Sequence, residues 1–162
     1  MTKLLEGKKA LILGLANDKS IAWGITKALR EHGASLGLTY LNDQLKKRVE
    51  PLAEEVGADW IHPMDVTVDE HYGQLKEKVE KEWGKFDILV HSLAFANKDD
   101  LKGDFVNTSR EGFKLACDIS AYSLVGLCHH LQDNMNENGS VMAMTYHGST
   151  CLLYTSDAAD ES

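Results

Sequence analysis

The stretch ALILGLANDKSIAWGITKAL, residues 10–29, carries an apolar run of strand length into a glycine and then, past Ser20, into an amphipathic pattern. Ala10, Leu11, Ile12 and Leu13 suit a strand buried on both faces. Beyond the turn, Ile25, Ala28 and Leu29 share one helical face, and the pattern stops at Gly33 behind basic residues. Strand, turn and helix in this order open a parallel α/β sheet, yet the loop never spells G-x-G-x-x-G. Gly14 permits the tight turn, Ser20 is expected to cap the helix through its hydroxyl, and Gly24 is expected to let helix and sheet approach closely. A helix start exposed in this way suits an anion such as a pyrophosphate. A glycine at a strand end is also often just a turn, and both readings stand at this point.

The same alternation continues along the chain. Short apolar runs at 35–39, 60–62, 86–91 and 140–145 have strand length, and amphipathic stretches at 42–58 and 69–87 have helical spacing. Pro51 lies inside the first of these helices and is expected to kink or break it. Repeated β-α steps imply a doubly wound parallel sheet, Rossmann-like, with helices on both faces and no internal repeat or linker.

At 162 residues, 43% hydrophobic and 26% charged, the chain can bury one ordinary core. A formal charge of -8 without any basic run argues against a nucleic-acid partner. No stretch reaches the roughly 18 uninterrupted apolar residues of a membrane span, so no membrane partner is expected and the cytoplasm is the default location. Cys117, Cys128 and Cys151 lack C-x-x-C spacing, and the first two are read as buried apolar fillers. His91 and the pair His129-His130 have no partners at ligand spacing, so no metal is expected. The acidic DEH run at 69–71 and the KEKVEKEWGK stretch read as solvated helix faces.

In a doubly wound sheet, ligands bind beyond the carboxyl ends of the strands. After the second strand comes Thr39-Tyr40-Leu41-Asn42, with no acidic residue for a ribose hydroxyl, so a choice between NAD and NADP is not written there. After the third comes Met64-Asp65-Val66. Asp65 is placed to accept an adenine amino group and Val66 to close over the ring, or Asp65 simply caps the next turn. After the fourth come Ser92, Leu93, Ala94 and Phe95.

The set G-x5-S-I-A-x-G, DVT, FDILVHSLAFA, REGFKLACDISAYSLV and GSVMAMTYHGS resembles bacterial NADH-dependent enoyl-acyl carrier protein reductases, a divergent branch of the short-chain dehydrogenase/reductase superfamily. The likeness covers about residues 3–150. It implies a cofactor, NAD (NADH), surrounded by Gly14, Ser20, Ile21, Leu41, Asp65, Val66 and Leu93, with Ala96 near the acyl substrate. Leu41 departs from the polar residue often found at its place and cannot hydrogen-bond adenosine. Tyr146, in MTYHGS, matches the first of two active-site tyrosines, against a reading as simple rim packing.

The resemblance further implies hydride transfer to the β-carbon of a trans-2-enoyl thioester carried on acyl carrier protein, in fatty-acid synthesis, by a homotetramer. A second tyrosine and a lysine should follow Tyr146 by ten and seventeen residues; Ser156 stands at the first place and the second lies past Ser162. Residues 1–150 therefore read as the N-terminal part of a dinucleotide-binding reductase domain, its sheet incomplete on the C-terminal side. Residues 151–162, CLLYTSDAADES, read as a non-native tail of translated-adapter type. The expectation is an inactive fragment of an oxidoreductase. The alternatives are an NAD-binding module without catalysis and a short-chain reductase acting on a carbonyl.

Overall fold

The computed structural model describes residues 3–145, so Tyr146, Cys151, Ser156 and the tail lie outside the described residues. Five strands, β1 (Lys9–Leu13), β2 (Ser35–Tyr40), β3 (Trp60–Pro63), β4 (Phe86–His91) and β5 (Met135–Ala143), form one sheet in the order β3-β2-β1-β4-β5. Every pairing in it is parallel. Five α-helices intervene: α1 (Ile21–Glu31), α2 (Asp43–Val56), α3 (Asp69–Glu82), α4 (Arg110–Cys117) and α5 (Ser123–Leu131). A five-residue π-helical turn, Asp118–Tyr122, joins α4 directly to α5.

Side-chain alternation along the strands divides the apolar residues into two layers. Ala10, Ile12, Leu36, Leu38, Ile88 and Val90 pack with Trp23, Leu29, Val49 and Ala53 of α1 and α2. On the other face Leu11, Leu13, Phe86 and Leu89 pack with Tyr72, Leu75, Val79, Leu127 and Leu131 of α3 and α5. Both faces of β1 and β4 are thus covered, which is why their sequences read as continuous apolar runs. Asp87, buried inside β4, ties the lower end of the sheet together. It accepts the Lys9 amide and the Lys8 ammonium, each at 3.0 Å, and the Asn136 side-chain amide at 3.1 Å. Burial works to raise its pKa, but the bonds from Lys9, Lys8 and Asn136 prevail and hold the carboxyl below its ordinary value.

Four expectations are corrected. Pro51 does not break α2, which runs unbroken past it. The carbonyl it leaves without an amide belongs to Lys47, and both residues lie on the exposed side of the helix, where burial does not penalise an unpaired carbonyl. The fifth strand begins five residues earlier than its apolar run. Met135 pairs with Phe86 and Ser140 with Ile88, so the polar residues between them bulge out of register, with Asn138 at φ 62°. Cys117 is exposed, because α4 sits at the rim of the sheet rather than over it, and Cys128, on α5, is only partly buried against the core. Gly24 does not mediate a close approach: it faces outward, and a Cβ there would meet nothing within 4 Å.

That last correction is directly measurable. A glycine in an open helix interior costs roughly 0.5–1 kcal/mol relative to alanine, so Gly24→Ala should raise the urea midpoint by a corresponding amount. A lowered midpoint would show that a neighbour needs the space.

Candidate functional site: a strand-end cleft

The carboxyl ends of β1, β2, β3 and β4 open into a cleft of about 380 Å³. Gly14, Leu15 and Ala16 line it from β1, Thr39, Tyr40 and Leu41 from β2, Met64 through Thr67 from β3, and Ser92 through Phe95 from β4. Leu45 of α2 and Ile119 of the π turn complete the wall. Because β1 has β2 on one side and β4 on the other, the crevice lies where the strand order reverses, the usual ligand position of such sheets.

Gly14 is the tightest point. The Ser92 amide donates to the Leu13 carbonyl at 3.1 Å, carrying the β1–β4 ladder one step past the strands. Gly14 then turns with φ +95°, and a Cβ on it would run into the Ser92 carbonyl. Ser20 caps α1 as expected: its hydroxyl accepts the Trp23 amide at 3.3 Å and donates to the Asn17 carbonyl at 2.7 Å. Ser20 and Ile21 stand outside the lining of the cleft, at the start of α1, with Ile21 64% exposed.

Asp65 realises the capping reading and still lines the cleft. Its Oδ1 accepts the Thr67 amide at 2.9 Å and the Thr67 hydroxyl at 2.7 Å, closing an Asx turn. The Asp65 amide donates to Nδ1 of His71 at 3.0 Å, and the Tyr72 hydroxyl donates to the Val66 carbonyl at 2.8 Å. Burial, with Asp118 nearby, pushes the Tyr72 hydroxyl up to about 12, so it stays a donor across the physiological range. His71 is thus half-buried and engaged, unlike its exposed neighbours Asp69 and Glu70, which do form the expected solvated face. Leu41 is at the mouth, 46% exposed, and Leu93 is half-buried on the opposite wall.

Beyond Phe95 lies a second, shallower groove, lined by Ala96, Leu101, Phe113, Ala116, Cys117, Ser120 and others. Phe95 belongs to both walls and divides the two spaces. The Ser120 hydroxyl brackets it, lying 3.1 Å from the Phe95 amide and 3.3 Å from its carbonyl. One residue ahead of the cleft, His91 is fully buried. The Ser123 hydroxyl commits its proton to the Ile119 carbonyl at 2.7 Å, so Nε2–H of His91 donates to Ser123 Oγ, also at 2.7 Å. Its Nδ1 is buried without a partner, and burial holds the imidazole below its ordinary 6.5. Among the described residues no three His, Cys, Asp or Glu side chains converge as metal ligands, and no helix is long and apolar enough to cross a membrane.

Sequence reasoning named Gly14, Leu41, Asp65, Val66 and Leu93, which the fold gathers around one space, and Ala96, which it sets in the adjoining groove. It gave no role to Thr39, Met64, Thr67, Phe95 and Ile119, which also line the cleft. The first four lie within four residues of a strand's carboxyl end, a signal the sequence carries. Ile119 reaches the cleft only through the π turn, for which no sequence pattern stood out.

A parallel sheet of this order, with its cleft at the switch point, defines a Rossmann-like α/β domain. The sequence profile of the family described as Enoyl-(Acyl carrier protein) reductase matches residues 14–159, and the chain belongs to that family. It is 45% identical over 152 residues to an enoyl-[acyl-carrier-protein] reductase [NADH] of Rickettsia typhi, covering 94% of this chain and 58% of that protein. It is 47% identical over 146 residues to the corresponding protein of Aquifex aeolicus, covering 90% and 54%. The crystal structure of the Aquifex aeolicus VF5 enzyme superposes with a TM-score of 0.89 at 46% identity, over 92% of this chain and 60% of that one. An Anaplasma phagocytophilum reductase solved in complex with NAD gives 0.89 at 41% identity, over 94% and 58%. The chain therefore spans just over half the length of the curated relatives it matches.

Two outcomes are expected. Gly14→Val forces a β-branched residue into the left-handed region and against Ser92, and should lower stability by at least about 2 kcal/mol in chemical denaturation; a change under about 0.5 kcal/mol would show that the turn relaxes freely. For His91 the folded pKa lies below the unfolded one, so the unfolded chain takes up the proton first. Stability is then full above pH 6.5 and falls below it, with a limiting slope of about 1.4 kcal/mol per pH unit for one histidine. His62, also lowered by burial, adds to the same trend. Denaturation midpoints at several pH values from 8 to 5 should fall less steeply in His91→Gln, whose amide can still donate to Ser123; parallel curves would mean that His91 takes up its proton without cost.

Proposed function

We propose that the chain is the dinucleotide-binding part of an NADH-dependent enoyl-acyl carrier protein reductase of fatty-acid synthesis. The observation that carries this reading is the Gly14 turn packed on the Ser92 carbonyl beneath a cleft that also collects Asp65, Val66 and Leu93. The residues fit a dinucleotide. At Gly14–Ala16 the backbone is bare enough for a pyrophosphate to lie against it. The first amides of α1, at Ile21 and Ala22, have no acceptor among the described residues and suit its charge. Asp65 keeps Oδ2 for an adenine amino group, and Val66 and Leu41 offer apolar walls to the ring and ribose. Among the described lining residues Asp65 alone is charged, which favours NAD over a cofactor with a 2′-phosphate.

When bound, the nicotinamide supplies the hydride. This chain's own residues orient the dinucleotide, and Ala94 and Phe95 line both its cleft and the adjoining groove of Ala96, where an acyl thioester would lie within reach of it. Tyr146 is proposed to stand at the reacting end. Ser156 stands at the offset of the family pattern's second tyrosine, so we propose residues 151–162 as foreign to the reductase and the chain as given as binding without turnover. The partner of the whole protein would be acyl carrier protein, its assembly a homotetramer and its location the cytoplasm.

Two preparations test this: the chain as it stands, and one continued past Thr150 with a tyrosine and a lysine ten and seventeen residues beyond Tyr146. The first should bind NADH without oxidising it, and the second should oxidise NADH with crotonyl thioester. Reduction of ketones instead of the enoyl thioester by the second would reassign the activity to carbonyl substrates. Absence of NADH binding in both would remove the dinucleotide reading.

A further inference from the structure

Resting on the dinucleotide reading of the cleft, we infer that His71 and Tyr72, at the start of α3, are positioning residues that set the base selectivity of the adenine end. Neither side chain lines the cleft. Each instead fixes one backbone group of the two residues that do. The loop Asp65-Val66-Thr67 follows β3 with no regular ladder of its own, so its three side chains are aimed by whatever holds its backbone. The Asp65 amide is taken by His71 Nδ1 at 3.0 Å and the Val66 carbonyl by the Tyr72 hydroxyl at 2.8 Å. Asp65 Oδ1 is turned back onto Thr67, which leaves one carboxylate oxygen with a defined direction.

Tyr72 is itself immobile. It is 2% exposed, its ring stacks on His130 with centroids 5.1 Å apart, and it lies against Gly126 of α5, where a Cβ would come within 2.9 Å of the ring. His130 is fixed in turn through Nδ1 to the Gly126 carbonyl at 2.8 Å. The loop is therefore braced through Tyr72 against the helix on the sheet's second face, and through His71 against the first turn of α3. An aspartate that must read an exocyclic amino group needs its oxygen placed to within a few tenths of an ångström. Freed on one side, it keeps its charge but loses its aim.

The test is a ratio, which neither the folded fraction of a preparation nor a general loss of stability alters. Dissociation constants for NADH and for its hypoxanthine analogue, which has an oxygen in place of the 6-amino group, are measured on the 162-residue chain and on His71→Ala, His71→Asn and Tyr72→Phe. The parent should prefer NADH by roughly three- to tenfold, the range one hydrogen bond supplies. His71→Ala should bring the ratio to within about twofold of unity, and Tyr72→Phe should lower it while keeping the stacked ring. His71→Asn, whose Oδ1 can accept the Asp65 amide as Nδ1 does, should restore the parent ratio. An unchanged ratio in His71→Ala and Tyr72→Phe, with the parent discriminating, would overturn the positioning role alone. A parent that binds both dinucleotides equally would overturn the reading of Asp65 as the adenine contact, and a parent that binds neither would overturn the dinucleotide cleft and this inference with it.

Discussion

Everything above the sheet depends on how closely β1 and β4 can run at their carboxyl ends. These two strands are neighbours in space although two complete β-α units separate them in the chain. Their ladder continues to the Ser92 amide on the Leu13 carbonyl, and Gly14 then turns directly over the Ser92 carbonyl. That contact leaves the backbone of the first loop bare on the side facing the cleft. A side chain at Gly14 would have to move β4 away, and with it Leu93, Phe95 and the partition between the two spaces. The capped start of α1 and the Asx turn after β3 are arranged around an opening whose width this single approach sets.

Much of this was readable because burial writes simple patterns. Strands covered on both faces read as unbroken apolar runs, and β4 was legible to the residue at Phe86–His91. A helix end written by a side chain was legible too: Ser20 caps α1. The failures share a cause. Pro51 breaks a helix only when the orphaned carbonyl has nowhere to go, and exposure is a property of the fold. Gly24 and Cys117 were judged by residue type, whereas the direction each faces decides what each does. The early start of β5 rests on pairing with Phe86, a long-range contact that its Asn- and Gly-rich sequence does not announce.

The candidate site shows the same division in sharper form. Asp65 supported two readings, a turn cap and a ligand contact, and the structure gives one oxygen to the first and leaves the other over the cleft. The turn cap leaves the ligand reading open, because a carboxylate has acceptor capacity beyond the two bonds it makes here. His71 was hidden in a charged run that is otherwise solvated, and only the bend of the chain after β3 brings its Nδ1 back to the Asp65 amide. A residue that acts through the backbone of another leaves no pattern in composition or spacing.

The π turn at Asp118–Tyr122 has a further consequence. Five residues per closed loop instead of four insert one extra step into the rod formed by α4 and α5, and so rotate everything beyond it by about 100° relative to a regular helix. Leu127 and Leu131 are thereby brought onto the sheet, while Ile119 and Ser120 are presented to the two spaces at its edge. One continuous rod serves as roof and as rim. A turn of this width can be removed by deleting a single residue, and such a deletion would leave both helices intact while swinging the rim side chains away from the cleft. The length of this segment, more than its composition, is therefore what relatives with differently shaped spaces would be free to vary.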